Sequence, residues 1–260
     1  MVHRDLAYGS ASASQTLDLH VPPDLPSPPL VVFVHGGAWA SLTRHDVELT
    51  IAPFVTAGWA VANVEYRRTP EARAPAAAAD VRCAIKWIVR RAPELGVDAS
   101  RIVLAGHSAG AHLALLAAFA DTSAGLDAGC PGAMPAIAGV IDWAGITDVE
   151  DLYAGPNVRG WARDWIGELP DGAEIARRLS PLTWVHPGLP AVLIVHGDRD
   201  AIVPIAHALR LHASLDRAGV PNELVVLPGA GHAPLSPRDA ATSWASIMRF
   251  LGDRSQTATP

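Results

Sequence analysis

Residues 102–112 read Ile-Val-Leu-Ala-Gly-His-Ser-Ala-Gly-Ala-His. An apolar run, Ile102 to Ala105, meets Gly106-His107-Ser108-Ala109-Gly110, and an alanine- and leucine-rich stretch continues to Ala120. The pattern predicts a strand, a sharp turn and a helix. A serine with glycine two residues before it and two after it has the form of a nucleophile elbow. A strand that turns straight into a helix crowds the backbone on both sides of the turn, and residues without a Cβ relieve the crowding. The serine at the apex is then held in a strained conformation with its oxygen pushed outward. The helix N-terminus behind it leaves N–H groups for an anion.

Upstream, Leu30 to Val34 is a β-branched apolar run expected to be a buried strand, and it ends in His35-Gly36-Gly37-Ala38-Trp39. Adjacent glycines directly after a core strand mark a place where backbone must approach something closely. A helix is expected over 46–56, a strand over 59–64 and a helix over 80–91 closed by Pro93 and Gly96, with a weak strand near the start at 15–21. Downstream, 121–136 is loop-like and 137–143 is a strand. Residues 147–189, with Trp161, Trp165 and Trp184, then interrupt the alternation and read as a small lid or cap-like insertion over the sheet edge. A strand over 191–195 ends in His196-Gly197-Asp198-Arg199-Asp200. A helix (205–217), a strand (223–227) and Pro228 to His232 lead to a closing helix over 239–251 and a polar, loose tail from Gly252.

The alternation predicts one α/β domain over 1–260, with a mostly parallel central sheet and helices on both faces. The composition agrees: 50% hydrophobic and 18% charged residues make a core-forming chain and exclude disorder. A formal net charge of −6 without a basic cluster argues against nucleic acid as a partner. No apolar run is long enough for a membrane span, and residues 1–20 carry Arg4, Asp5, Asp18 and His20 without the apolar core of a signal peptide. A cytoplasmic monomer or homodimer is therefore expected. Two cysteines give neither a disulfide framework nor metal-ligand spacing; Cys83 falls in an apolar helical pattern and Cys130 in a glycine-rich loop that could be exposed. No metal and no organic cofactor are expected.

Ligands bind such sheets at the carboxyl ends of the strands. Polar loops stand there in the order His35–Trp39, Ser108, Asp200, His232, which is the chain order of one of the serine hydrolase triads. Ser108 is the expected nucleophile, His232 its base and Asp200 the acceptor that fixes the base's tautomer. The N–H groups of Ala109 and of Gly37 or Ala38 are the expected oxyanion hole. Asp198 is the rival acid, but it is nearer the strand end and is expected to cap the turn. His35, His107, His112 and His196 are read as structural, His107 pointing away from Ser108. Glu65 and Tyr66 end a strand near the site as candidate substrate contacts. Trp39, Trp143, Trp161 and Trp165 are the candidate pocket wall.

In these residues the chain resembles α/β-hydrolases of the small esterase and lipase-like branch. His35-Gly36-Gly37-Ala38-Trp39 is similar to the oxyanion loop of hormone-sensitive-lipase-like esterases, feruloyl-esterase-like enzymes and kynurenine formamidase. Gly106 to Gly110, His196 to Pro204 and Gly231-His232 resemble their elbow, acid and base loops, so the likeness runs from about Tyr8 to Leu251. Ala38 stands where the hormone-sensitive-lipase-like group has a third glycine, and the long N-terminal cap of that group is not expected. Trp39 is closer to the other two patterns. The resemblance implies an α/β-hydrolase fold and cofactor-free hydrolysis of a small-molecule ester or amide. A carboxylic ester with a small or medium acyl group is the leading substrate class, and an aryl formamide is the alternative.

Overall fold

Leu30 to Val34 contains no polar residue because both faces of its strand are covered. It belongs to a strand that pairs on either side in parallel within an eight-stranded sheet. This computed structural model describes residues 1–127 and 129–255. In chain order the strands are β1 (Val2–Ala7), β2 (Thr16–His20), β3 (Pro29–Val34), β4 (Ala60–Val64), β5 (Asp98–His107), β6 (Gly139–Trp143), β7 (Ala191–Gly197) and β8 (Asn222–Leu227). Across the sheet they run β1-β2-β4-β3-β5-β6-β7-β8. The first two are antiparallel to their neighbours and the rest are parallel. The helices are α1 (Glu48–Thr56), α2 (Ala76–Leu95), α3 (Ala109–Phe119), α4 (Val149–Tyr153), α5 (Gly160–Ile166), α6 (Gly172–Arg178), α7 (Ala206–Arg217) and α8 (Pro237–Ser255). This is the mostly parallel sheet between helices expected from the alternation, and it is consistent with the α/β-hydrolase fold that the resemblance implies.

The two faces of β3 show how the layers form. Leu30, Val32 and Val34 belong to one core with residues of α2, α3 and α7, while Val31 and Phe33 belong to the other with residues of α1 and α8. The period of two along the strand thus separates two cores. Helix α3 has no polar face because it lies directly under β3, β5 and β6, and nearly all of its residues are buried.

The structure departs from expectation in places. β1 went unread: VHRDLA is polar because it is an edge strand, exposed along much of its length. Helix α2 runs through Pro93 to Leu95, ending at Gly96 in the left-handed region at φ 66°, and Asp98–Ser100 already belong to β5. The tail expected to loosen from Gly252 is helical to Ser255, and 256–260 lie outside the described residues. Cys83 and Cys130 are joined as a disulfide, with Cα atoms 5.3 Å apart, which corrects the expectation of two unlinked cysteines. Arg82 and Lys86 of α2 clasp Asp127 at 2.8 and 2.6 Å, and this draws the loop before β6 against Cys83. Such a pairing between segments 47 residues apart leaves no trace in sequence spacing. No helix among the described residues is long and apolar enough to cross a membrane.

Candidate active site

The elbow forms because α3 presses against the ends of β3 and β5. A Cβ on Gly110 would overlap the carbonyl oxygens of Val34 and His35, and one on Gly106 would meet the Gly110–Ala111 peptide. Between them Ser108 is held at φ 58°, ψ −123°, a conformation disfavoured for a residue with a side chain. Its N–H donates to the Trp143 carbonyl at 2.8 Å, and its own carbonyl accepts from His112 N at 3.0 Å. Both bonds fix the apex from behind. The Ser108 hydroxyl makes no hydrogen bond among the described residues.

The loop after β3 is bent to face this apex. Gly37 has φ 103°, where a Cβ would also overlap the Ser41 carbonyl, and Ala38 and Trp39 follow at φ 53° and 57°. The Gly37 carbonyl is tied back by the N–H groups of Ala40 and Ser41 at 3.0 and 2.8 Å. The Tyr66 hydroxyl lies 3.1 Å from the His35 carbonyl and 3.3 Å from that of Gly36. With the carbonyls engaged, the N–H groups of Gly37, Ala38 and Ala109 have no acceptor among the described residues. A Cβ on Gly36 would stand 3.3 Å from that of Ser108, so loop and elbow are in contact.

Glu65 and Tyr66 therefore act on the loop. Both are buried. The Tyr66 ring stacks on His35 at 4.3 Å, and Glu65 Oε1 lies 3.2 Å from His35 Nε2 while Oε2 accepts from Arg44 N at 3.0 Å. Burial opposes the charge on Glu65, but these donors outweigh it and hold its pKa below the ordinary value.

The loops after β7 and β8 bring Asp200 and His232 together. His232 Nδ1 and Asp200 Oδ2 are 2.6 Å apart. Asp200 Oδ1 accepts from the N–H groups of Ile202 and Val203 at 2.8 and 2.9 Å, and His196 Nε2 lies 3.3 Å from Oδ2. Burial favours the neutral acid here, but the hydrogen bonds from His196 and His232 prevail and the pKa is driven far below the carboxylate range. Asp200 is thus an anion that only accepts, so His232 Nδ1 carries the proton and Nε2 has a lone pair. Asp198 faces elsewhere. Its Oδ1 accepts from Gly229 N at 2.6 Å and ties the two loops together.

His107 meets the loop that carries His232. Its Nε2–H donates to the His232 carbonyl at 3.3 Å, and the two rings are 4.7 Å apart. Burial, then the charge of His232, lowers its pKa to about 4. Both histidines line a cavity of about 310 Å³ together with Gly36 and Trp143. The rest of its wall is Phe33, Leu42, Val47, Thr50, Ala233, Leu235 and Ala240, with no acidic or basic side chain beyond the imidazoles.

Of the tryptophans, the structure places Trp143 on this wall. Trp39 and Trp165 stack at 4.0 Å in the core on the other face of the sheet, and Trp161 packs on Trp39 at 5.6 Å. The strained backbone at Trp39 turns its ring inward, where Nε1–H donates to His112 Nδ1 at 3.2 Å. His112 in turn donates from Nε2 to the Leu179 carbonyl at 2.8 Å, which ties 147–189 to the elbow helix. Leu42, Val47 and Leu235 escaped the sequence reading. The available signal was Leu42, a leucine three residues past the 35–39 loop that remains 45% exposed. Among the described residues Asp18, His45 and Glu48 could converge on a cation, but Arg4 already pairs with both acids and Arg44 with Asp18.

Comparison with known proteins follows the same line. The BD-FAE family model matches residues 17–215. Esterase LipQ of Mycobacterium tuberculosis is 30% identical over 240 residues, 88% of this chain and 56% of LipQ. Esterase LipC of the same organism is 30% identical over 89% of this chain and 60% of its own length, so the chain spans somewhat more than half of these relatives. Among solved structures, the truncated form of a carbohydrate esterase from gut microbiota superimposes with a TM-score of 0.79 at 24% identity, covering 99% of this chain and 97% of that one. An esterase of the Planctomycetes species Thermogutta terrifontis does so at 0.78 and 24%, covering 97% and 91%.

Proposed function

The chain belongs to the BD-FAE family of esterase-like α/β-hydrolases, and we propose that it is a serine carboxylic-ester hydrolase for small or medium, uncharged acyl esters. The carrying observation is the His232–Asp200 hydrogen bond of 2.6 Å beside a cavity walled by apolar side chains.

In this reading the Ser108 hydroxyl attacks the acyl carbon, and His232 Nε2 takes its proton. The carbonyl oxygen becomes an oxyanion held by the N–H groups of Ala109 and of Gly37 or Ala38. His232 returns the proton to the leaving alcohol as the C–O bond breaks and the acyl-serine forms. Water, deprotonated by the same nitrogen, then releases the acid and restores the serine. Asp200 remains ionised throughout and keeps the imidazole in the required tautomer. No metal or organic cofactor enters the scheme.

The cavity wall favours esters over aryl formamides. N-formylkynurenine carries an ammonium and a carboxylate, and the wall offers neither an acid nor a guanidinium to meet them. Within this proposal the chain is one catalytic domain, a monomer or homodimer. Residues 147–189 are fixed packing on the other face of the sheet rather than a moving lid, since the Trp39–Trp165 stack and the His112–Leu179 bond anchor them. The cytoplasmic location expected from the sequence sits poorly with the Cys83–Cys130 disulfide, because reductants in that compartment keep cysteines as thiols.

The test is hydrolysis of matched aryl esters from formyl to octanoyl, with N-formylkynurenine beside them. Turnover of acetyl to hexanoyl esters without formamide turnover is expected. A steep preference for formyl together with formamide turnover would overturn the ester reading.

A further inference from the structure

Asp142 is an acid in the middle of a fully covered strand. It pairs with Gly106 of the elbow strand on one side and with Ile194 on the other. It is wholly buried, and neither carboxylate oxygen meets a donor in good hydrogen-bond geometry among the described residues. Such a group is costly in a core and calls for an explanation. His196, two residues beyond Ile194 on the same face of β7, is the diagonal neighbour of Asp142. It too is buried, its Nδ1 is unpartnered, and the two side chains stop short of ion-pair distance, so they act on each other by charge across a gap and not by a hydrogen bond.

We propose that Asp142 and His196 form a buried positioning pair that holds Asp200 and shares its negative charge. The proposal rests on the serine hydrolase reading. The Nε2 of His196 lies 2.9 Å from the Val203 carbonyl, which can only accept, so this nitrogen carries a proton. The same N–H is 3.3 Å from Asp200 Oδ2, the oxygen that receives His232. A second proton at Nδ1 makes His196 a cation, with Asp142 as its counter-ion, and the Nε2–H a stronger donor to Asp200. The electrostatics agree with this arrangement. Burial opposes charge on His196, yet its contacts with Asp200 and Val203 and the charge of Asp142 raise its pKa. Burial pushes Asp142 up to about 6, while His196 and then the Gly145 N–H pull it down. The other titratable groups whose charges couple to His196 are His107 of the elbow and His207 of α7, both lowered toward neutrality.

The pair explains why Asp200 keeps one orientation. Two N–H groups hold Oδ1, and Oδ2 lies between His196 and His232. Weakening His196 leaves more negative charge on Asp200, which stabilises protonated His232 and moves the acid limb of the rate profile to higher pH.

The test combines NMR of the histidine rings with kinetics. Wild-type His196 is expected to carry protons on both nitrogens at pH 7, and Asp142→Asn to lose the one at Nδ1. The acid limb of kcat/KM is expected to rise by about half a pH unit or more in Asp142→Asn. His196→Leu should lose at least about tenfold in kcat with KM nearly unchanged, and His196→Gln, which keeps a donor, should recover most of that loss. A wild-type His196 lacking a proton at Nδ1, or an Asp142→Asn variant whose acid limb coincides with wild type, would overturn the proposal. The wild-type NMR measurement decides it even if a variant fails to fold. Activity surviving in Ser108→Ala would instead overturn the hydrolase reading and leave the ring measurement standing.

Discussion

Asp200 and His232 stand 2.6 Å apart on loops that leave neighbouring strands, while Asp198, two residues earlier, bonds the backbone of Gly229. One carboxylate faces an imidazole and the other a peptide. The amide of Asn can replace the second contact but would present its donor or a neutral oxygen to His232 and disturb the tautomer. Asp200→Asn is therefore expected to lower kcat on the order of 10³–10⁴-fold. Asp198→Asn should stay within about fivefold of wild type, because Asn retains the acceptor that the Gly229 N–H needs. Steady-state rates on one ester decide the matter, and the reverse ranking would assign the acid to Asp198.

The nucleophile itself is tested by Ser108→Ala. The side chain makes no hydrogen bond among the described residues, so its removal leaves the elbow's backbone bonds to Trp143 and His112 in place. Ester hydrolysis should fall to a small residue of the wild-type rate with the urea midpoint nearly unchanged. Full activity would remove Ser108 from the chemistry.

The elbow's glycines make a stability prediction. In Gly110→Ala the new methyl collides with the Val34 and His35 carbonyls; Val34 is held by strands on both sides and the His35 carbonyl by the Tyr66 hydroxyl. A loss of about 2–3 kcal/mol is expected from urea unfolding. Gly160→Ala, at the start of α5 where an added Cβ meets nothing within 4 Å, is the control and should be neutral or slightly stabilising.

These glycines also show why part of the site was legible in the sequence. Close backbone approach at Gly106 and Gly110 leaves a fixed spacing around Ser108, and glycine is the residue that can satisfy it. Strand ends carried the other polar loops in order, so Asp200 and His232 could be named before their contact was seen. The pocket wall was another matter. Trp39 looks like a site residue because it closes the 35–39 loop after β3, yet a left-handed backbone turns its ring into the core against Trp165. Leu235 and Val47 reach the cavity only through the packing of α1 and α8 over one face of the sheet, and no local pattern records that packing. Asp142 is a lone acid in an apolar strand that the sequence reading does not single out, and its neighbour His196 is set by strand register.

The cavity predicts chain-length control. Leu235 and Val47 line it beside His232, and a larger side chain at either point takes up space within about 310 Å³. Leu235→Trp should lower kcat/KM for a hexanoyl ester by about tenfold or more, while the acetyl ester stays within about threefold. Trp161→Ala, on the opposite side of the sheet, should not change the ratio of the two esters. A shift caused by Trp161 and not by Leu235 would move the acyl site to the tryptophan cluster.

His112 gives the fold a pH dependence of defined sign. Trp39 Nε1–H donates to its Nδ1 at 3.2 Å and its Nε2 donates to the Leu179 carbonyl at 2.8 Å, so a second proton at Nδ1 would face another donor. Burial lowers the pKa from 6.5 to about 4. The unfolded chain takes up a proton as pH falls through 6.5 and the folded chain does so only near 4, so stability drops across that window as the medium is acidified. The slope from this ring approaches about 1.4 kcal/mol per pH unit between the two values. His112→Asn keeps an acceptor near Trp39 and cannot titrate. Whatever its stability at pH 7, its urea midpoint should decline less steeply from pH 6.5 to 4.5 than that of wild type, although His107 and His207, also lowered by burial, still contribute in both proteins. Parallel declines in the two proteins would show that His112 is not held neutral by the fold.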